Sequence, residues 1–234
     1  NYRRSVVGSM RLIRKMIPVL GGIFLSSDFT YTGTYTWVDD GSGKWRLKFL
    51  SSGTFTPKKT ITIDLFIVGG GSGGRTGVAN SYAGGGGAGG YTGTWTPIQL
   101  AINQAYPVVI GGGGAENTGG GTSSFNTSYS KGGGTVNATN MRKGGDGGSG
   151  GGGADNGNGG SNGSAGATSN LAGGTGQGTT TYEFGDSSLT LYAGGGGAGG
   201  GQYGYSGPGG EGGAGGCAHG GTNSGGDGPT AAAN

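Results

Sequence analysis

The only thiol and the only imidazole of the chain stand two positions apart, as Cys217 and His219. A thiol beside an imidazole is the arrangement that activates a cysteine nucleophile. On an extended chain with three residues per turn, however, side chains two positions apart point in different directions. The carboxylates are scattered and form no pair in an apolar setting. We therefore expect no catalytic residues, and we expect the protein not to be an enzyme.

Two glycine motifs could bind a cofactor or a metal ion. Gly69-x-Gly71-x-x-Gly74 follows a strand-like run, as a dinucleotide fingerprint does, but residues 75–83 show no helical period. With 68 glycines in 234 residues, this spacing arises by chance roughly six times. Residues 150–155 match the start of a calcium-binding repeat, yet Gly157 stands where a large apolar residue is needed, and no second copy follows. We expect no cofactor and no metal.

The charge distribution argues against a polyanion as partner. The chain has 14 basic and 11 acidic residues, for a net charge of +3. Five of the basic residues precede Asp28, the first acidic residue, so the remainder of the chain is slightly acidic. Arg-Gly-Gly, which recurs in RNA-binding glycine-rich segments, does not occur. We expect no nucleic acid partner.

Apolar residues are concentrated in the first half of the chain. Of the 35 Leu, Ile, Val and Phe residues, 29 lie within residues 1–110. Aromatic residues alternate with Thr from Phe29 to Trp37, which predicts one strand with an aromatic face, and the turn-like residues 39–44 predict a hairpin with the strand from Trp45 to Phe49. Further predicted strands are 61–68, 91–100, 106–110, 180–184 and 189–193. No segment has a helical period, so the predicted fold class is all-β.

Glycine blocks follow these strands directly, at 69–71, 111–114 and 194–197. The nine residues YAGGGGAGG occur twice, from Tyr82 and from Tyr192. Elsewhere single residues are separated by glycine pairs, a period of three that matches polyproline-II helices. Such helices have no internal hydrogen bonds, and their backbone groups need partners on neighbouring helices. We favour a packed bundle of polyglycine-II helices, and the alternative is a set of loose loops on a β-core.

The first 28 residues are interpreted separately. Residues 11–27 resemble a signal peptide, with a basic start and about 12 mostly apolar residues. Nine residues precede Met10, and we favour a strand or linker that enters from an upstream region. The predicted organisation is an arm at 1–28, a β-rich core at 29–110, and a glycine-rich region at 111–234 with short strands of the same unit. No apolar run reaches the length of a membrane span, and we expect no membrane insertion.

The order of strands and glycine blocks carries a resemblance to a known family. The segments are Ser52 to Gly74 (SGTFTPKKTITIDLFIVGGGSGG), Gly84 to Trp95 (GGGGAGGYTGTW), Tyr106 to Ala115, Gly120 to Phe125 and Gly174 to Gly185. They resemble the glycine-rich domain of phage and prophage tail-fibre or minor structural proteins, especially those of gut Firmicutes. A more distant resemblance is to the glycine-rich domain of anaplastic-lymphoma-type receptor kinases. The resemblance implies a jelly-roll-like β-sandwich with an inserted polyglycine-II bundle.

The resemblance and the residues together predict a non-catalytic virion structural protein, of tail-fibre or adhesin type. Its expected partners are other copies of itself, neighbouring virion proteins, and a host envelope glycan or surface protein. The alternative is an extracellular self-assembling fibre protein, secreted or at a cell surface. Loops 155–170 and 202–206 are rich in polar and aromatic residues, and their candidate receptor-binding residues are Asn156, Asn158, Asn162, Tyr203 and Tyr205. Tyr129, Tyr203 and Tyr205 could stack on sugar rings or pack as spacers at helix ends, and for these three residues we favour spacers.

Overall fold

Two antiparallel β-sheets of five strands each make up the regular structure. The computed structural model describes residues 10–13, 24–41, 43–75, 87–136, 143–148, 150–153 and 182–195. The strands are β1 (Met10–Ile13), β2 (Phe29–Tyr31), β3 (Tyr35–Gly41), β4 (Lys44–Phe49), β5 (Gly53–Pro57), β6 (Ile61–Val68), β7 (Thr92–Leu100), β8 (Tyr106–Val109), β9 (Ser123–Phe125) and β10 (Tyr129–Lys131). The predicted all-β class is confirmed, and in the described ranges the only helical turns are 3₁₀ turns, at Ser26–Asp28 and Glu183–Gly185.

The two sheets face each other as a β-sandwich. The first sheet has the order β3-β4-β1-β6-β7, and the second has the order β10-β9-β8-β5-β2. Their inward side chains form one core, in which Phe49 of the first sheet meets Phe55 of the second with ring centroids 5.9 Å apart. The largest fully buried side chains of this core are Trp45, Phe49, Phe55, Phe125, Leu47, Ile63, Leu65, Ile67 and Leu100.

The predicted hairpin is confirmed as β3 and β4. Trp37 pairs with Leu47 and Val38 with Arg46, and a bulge at Asp39–Gly41 leads into the turn. Alternation decides the inward face of β4, because Trp45, Leu47 and Phe49 are buried while Lys44 is exposed. Trp37 was expected to be buried and is partly buried, packed against the edge of the core.

The single aromatic strand predicted over residues 29–37 is wrong, because the chain changes sheets at Thr32 to Thr34. Phe29–Tyr31 pairs with β5 of the second sheet, and Tyr35–Gly41 pairs with β4 of the first. At the crossing, a Cβ on Gly33 would lie 2.7 Å from the carbonyl oxygen of Ser52. The hydroxyls of Thr32 and Ser51 accept hydrogen bonds from the N–H groups of Thr54 and Thr34, both at 2.8 Å. The aromatic side chains still converge, since Phe29 and Trp37 have ring centroids 5.6 Å apart.

Strand β6 is buried on both faces. Ile61, Ile63, Leu65 and Ile67 face the main core, as predicted. On the opposite face, Phe66 and Val68 pack with Tyr192 and Ala193 in a second cluster, which Phe184 borders. The unbroken apolar run from Leu65 to Val68 is typical of a strand that is covered on both faces.

Several strand predictions need correction or addition. Strands β6, β7 and β8 are confirmed close to their predicted bounds. Strands predicted at 180–184 and 189–193 are wrong, because the described part of these stretches contains one bridge, Tyr182 to Leu191. The chain turns too tightly there for a ladder, since Phe184 is left-handed (φ 54°) and Leu189 N–H donates to the carbonyl of Asp186. The strands not predicted are β5, β9 and β10.

The N-terminal region contributes a strand to the centre of the first sheet. Met10–Ile13 pairs with β4 on one side and with β6 on the other. The backbone groups of both neighbours are satisfied by this insertion, since β4 and β6 do not pair with each other. The signal-like residues 14–23 lie outside the described residues.

Trp45 provides a test of the core. Its side chain is 1% exposed, and replacing a buried aromatic residue by Ala typically costs about 3–5 kcal/mol. We expect Trp45→Ala to lower the free energy of unfolding by this amount in urea titrations followed by circular dichroism. Lys44→Ala, at the exposed neighbouring position of the same strand, is expected to change it by less than about 0.5 kcal/mol. Equal effects of the two substitutions would show that the inward face of β4 is misassigned.

Candidate functional site: the glycine bundle

Glycine segments from both sheets leave the sandwich at the same end. In the first sheet, β6 runs into Gly69 and β7 is preceded by residues 87–90. In the second sheet, β8 leads into residues 111–114, β9 follows residues 119–121, and β10 leads into residues 132–134. Since neighbouring strands are antiparallel, the end of one and the start of the next meet at one edge. The sandwich therefore gathers five glycine segments side by side.

Segment 69–74 is the centre of this bundle, because its backbone groups bond to four other segments. Gly70 N–H donates to Gly121 at 2.9 Å, and Gly70 accepts from Gly134 N–H at 2.8 Å. The other backbone bonds of this segment are Gly69 N–H to Tyr91 (2.9 Å), Ser72 N–H to Ala88 (2.7 Å), Gly73 N–H to Thr118 (3.0 Å), Gly114 N–H to Gly71 (2.8 Å) and Asn117 N–H to Gly74 (2.9 Å). Lateral bonding of extended glycine chains is the pattern expected of polyglycine-II. The packed bundle, rather than loose loops, is therefore confirmed for the described segments.

The segments lie so close that a neighbouring carbonyl occupies the position of a side chain. A Cβ on Gly70 would collide with the carbonyl of Gly112, and one on Gly133 would collide with Gly120. The same holds for Gly69 against Gly132, Gly73 against Ala115, Gly89 against Ala193 and Gly90 against Gly69. The φ angles of these glycines lie outside the left-handed region. Glycine is therefore needed at these positions for the close approach of the backbones, and not for its freedom in φ.

Residues further along the chain extend the bundle outward. Thr135 N–H donates to Asp146 at 2.7 Å, and Gly148 N–H donates to Gly89 at 3.2 Å. Gly151 N–H donates to Gly145 at 2.9 Å. A Cβ on Gly195 would collide with the carbonyl of Gly150. Residues 143–148, 150–153 and 193–195 therefore belong to the same lattice as the five segments next to the sheets.

An aromatic cluster closes the sandwich beside the bundle. The rings of Trp95 on β7 and Tyr129 on β10 meet edge to face, with centroids 5.6 Å apart. The ammonium of Lys131 lies 5.5 Å from the centroid of the Trp95 ring, a cation–π distance. A Cβ on Gly93 would collide with the Lys131 side chain and lie 2.7 Å from the Trp95 ring, so this glycine makes room for both side chains. Tyr129 thus packs against the main core of the sandwich.

The candidate receptor-binding residues do not fall within the described ranges. Asn156, Asn158, Asn162, Tyr203 and Tyr205 all lie outside them, as do Cys217 and His219. The glycines of the fingerprint-like motif, Gly69, Gly71 and Gly74, all lie in the central segment of the bundle. Residues 150–153 of the calcium-like motif also belong to the bundle.

Ionisable groups in the described residues take part in local structure. Burial raises the pKa of Tyr31 to about 12, and its hydroxyl donates to the carbonyl of Ser51. Burial works against ionisation of Asp28, but the Lys59 ammonium at 2.7 Å and the Leu25 N–H at 2.9 Å keep its pKa below the ordinary value. Within the described ranges, no three His, Cys, Asp or Glu side chains lie close enough together to hold a metal ion.

The surface of the first sheet contains a small groove. Thr36, Val38, Arg46, Leu47 and Lys48 line it, and its volume is about 50 Å³. Ligand pockets for drug-sized molecules are several times larger, about 300–1,000 Å³.

Within the part of the chain that the structure describes, no helix is long and apolar enough to cross a membrane.

The fold and the bundle define a β-sandwich that carries a polyglycine-II lattice at one end. The sequence profile of the family described as "Glycine-rich domain" matches residues 50–234. The chain belongs to this family. The match covers strands β5 to β10 together with every described segment of the bundle. No curated protein and no solved structure matches the chain.

Adjacent glycines provide a matched test of the lattice. A Cβ on Gly133 would collide with Gly120, whereas one on Gly132 would meet only a ring carbon of Tyr91 at 4.0 Å. We expect Gly133→Ala to lower the free energy of unfolding by about 1–3 kcal/mol, since the neighbouring backbone must move. Gly132→Ala is expected to be neutral or stabilising by up to about 1 kcal/mol.

Urea unfolding and hydrogen exchange of residues 69–74 would measure both effects. Gly133→Ala should increase exchange in this central segment, and Gly132→Ala should leave it unchanged. Similar effects of the two substitutions on stability and on exchange would contradict the close lateral packing of the segments.

Proposed function

We propose that the protein is a non-catalytic structural protein of a phage virion, of tail-fibre or adhesin type, that presents loops to a host surface. The observation that carries this proposal is the lattice itself, in which backbone groups of several glycine segments bond sideways to one another. A lattice built mainly of glycine brings the ends of several connecting segments close together. The resemblance of the strand and glycine blocks to phage tail-fibre proteins supports the viral setting.

The bundle provides fixed starting points for the candidate loops. Asn156 follows Gly153, a buried residue of the bundle, by three positions. Residues 154–181 connect Gly153 to Tyr182. Tyr182 forms a bridge with Leu191, beside the second core cluster. Tyr203 follows Gly195, whose close neighbour is Gly150, by eight positions. The described residues fix both ends of the connection 154–181, which lowers the entropy cost of ordering it when it binds a partner. For residues 202–206 they fix the preceding end, at Gly195.

The chemistry of the candidate residues suits a glycan or a polar protein surface. Amide groups such as those of Asn156, Asn158 and Asn162 both donate and accept hydrogen bonds, and the rings of Tyr203 and Tyr205 can stack on flat apolar faces. Single contacts of this type are weak. Several copies on one particle would raise the overall affinity by about 10²–10⁴ without any new contact.

A second candidate function is an extracellular fibre that assembles from this chain alone. The observation that favours it is the open outer surface of the bundle at Gly112. This residue is exposed, and a Cβ added there meets nothing within 4 Å among the described residues. An extended glycine segment of another copy would fit at such a position, since glycine chains bond laterally.

Electron microscopy with a labelled antibody against the chain distinguishes the two functions. We expect label at the tail end of tailed particles released from the producing culture. Label along uniform filaments that contain only this chain would support the fibre instead. Label on neither particles nor filaments, with the chain present in the sample, would contradict both proposals.

Adsorption of particles to host cells tests the loops. Replacing residues 155–170 and 202–206 by Gly/Ser sequences of equal length is expected to reduce adsorption at least tenfold, because every copy loses its contacts. Ile102→Ser is the control, since Ile102 is 53% exposed in the connection between β7 and β8. Unchanged adsorption after both replacements would reject the adhesin role and leave a purely structural one.

A further inference from the structure

Strand β3 forms one edge of the first sheet and pairs only with β4 among the described strands. It is seven residues long, and six of these residues are exposed, with Trp37 partly buried. Val38 and Tyr35 are 42% and 37% exposed. An exposed edge strand of this length can accept another strand, because half of its backbone groups point away from the sheet.

The hydrogen bonds to β4 identify which backbone groups point outward. Leu50 N–H donates to the carbonyl of Thr34 at 2.8 Å, and Tyr35 pairs with Phe49. In an antiparallel ladder, hydrogen-bonded and non-hydrogen-bonded pairs alternate. Thr34, Thr36 and Val38 therefore direct their N–H and C=O groups towards β4. Tyr35, Trp37 and Asp39 direct theirs towards the open edge.

The usual means of protecting an edge strand are absent from the central part of β3. The strand contains no Lys and no Pro, and its bulge is confined to Asp39–Gly41. The carboxylate of Asp40 accepts two hydrogen bonds from Arg46, both at 2.7 Å, so its charge is engaged within the hairpin. Asp39 accepts a hydrogen bond from Gly41 N–H at 2.8 Å, which draws its carboxylate towards the turn.

We propose that β3 is a self-association site, where a second copy of this chain adds its own β3 in antiparallel orientation about a two-fold axis at Trp37. In this register the outward backbone groups of Tyr35 bond to those of the partner's Asp39, and Trp37 bonds to the partner's Trp37. The interaction joins the first sheets of two copies into one continuous sheet. It goes beyond the proposed function and does not depend on it.

Side chains are compatible with this register. Val38 lies opposite the partner's Thr36, so an exposed apolar side chain gains an uncharged neighbour. Asp39 lies opposite the partner's Tyr35, and Asp40 lies opposite the partner's Thr34. No carboxylate faces another across the axis, and like charges directly opposite each other would have opposed pairing.

Cysteine cross-linking tests the register on the full chain in a Cys217→Ser background. Residues that form a non-hydrogen-bonded pair have Cα atoms about 4.5 Å apart, within the range of a disulfide. A mixture of Thr36→Cys and Val38→Cys chains is therefore expected to form a cross-linked heterodimer under mild oxidation. Neither variant alone should cross-link efficiently, since identical positions lie two residues out of register. Absence of the heterodimer, or equal cross-linking of all three samples, would overturn the proposed pairing.

A proline substitution tests the backbone bonds. Tyr35→Pro removes an outward N–H from each copy, and Tyr35→Ala is the matched control, because both lose the ring that packs on Phe29. Sedimentation equilibrium of the full-length variants is expected to show a dimer dissociation constant at least tenfold higher for Tyr35→Pro than for Tyr35→Ala. Equal dissociation constants, or a parent chain that remains monomeric at submillimolar concentration, would reject the site.

Discussion

The structure depends on one constraint, which is that the backbone groups of the glycine segments need partners on other segments. Gly70 shows the constraint fully, because it donates to Gly121, accepts from Gly134, and has no room for a Cβ beside Gly112. Because such a position has close neighbours on several sides, no direction remains open for a side chain. The composition follows from this geometry, since only glycine allows backbones to approach so closely at many successive positions.

The sandwich and the bundle contribute to stability in different ways. Trp45, Phe49, Phe55 and the other core residues remove a large apolar area from water, which is the main favourable term in folding. The glycine segments bury almost no apolar side-chain area, and ordering each glycine costs more backbone entropy than ordering any other residue. The sandwich offsets this cost by holding the ends of the segments in place. Strand β6 is the direct link, because it is buried on both faces and continues into the central segment of the bundle.

In the proposed function, surfaces rather than reactive groups carry the activity of the protein. Two ion pairs of the described residues connect local structure, Lys59 with Asp28 and Arg46 with Asp40. The proposed loops follow residues of the bundle in the sequence, and the proposed self-association edge lies on the sandwich. The two proposals involve different parts of the chain and can be tested separately.

Sequence alone determined the features that depend on local pattern. Alternation identified the β3–β4 hairpin and the inward face of β6, and the glycine blocks indicated a laterally bonded bundle. The sheet change at Gly33, the central position of β1, and the three-residue strands β9 and β10 were decided only by tertiary structure. A three-residue strand is too short to show a period. The same holds for the candidate site. Gly132 and Gly133 are the same residue type, and only the neighbouring backbone makes Gly132 replaceable and Gly133 not.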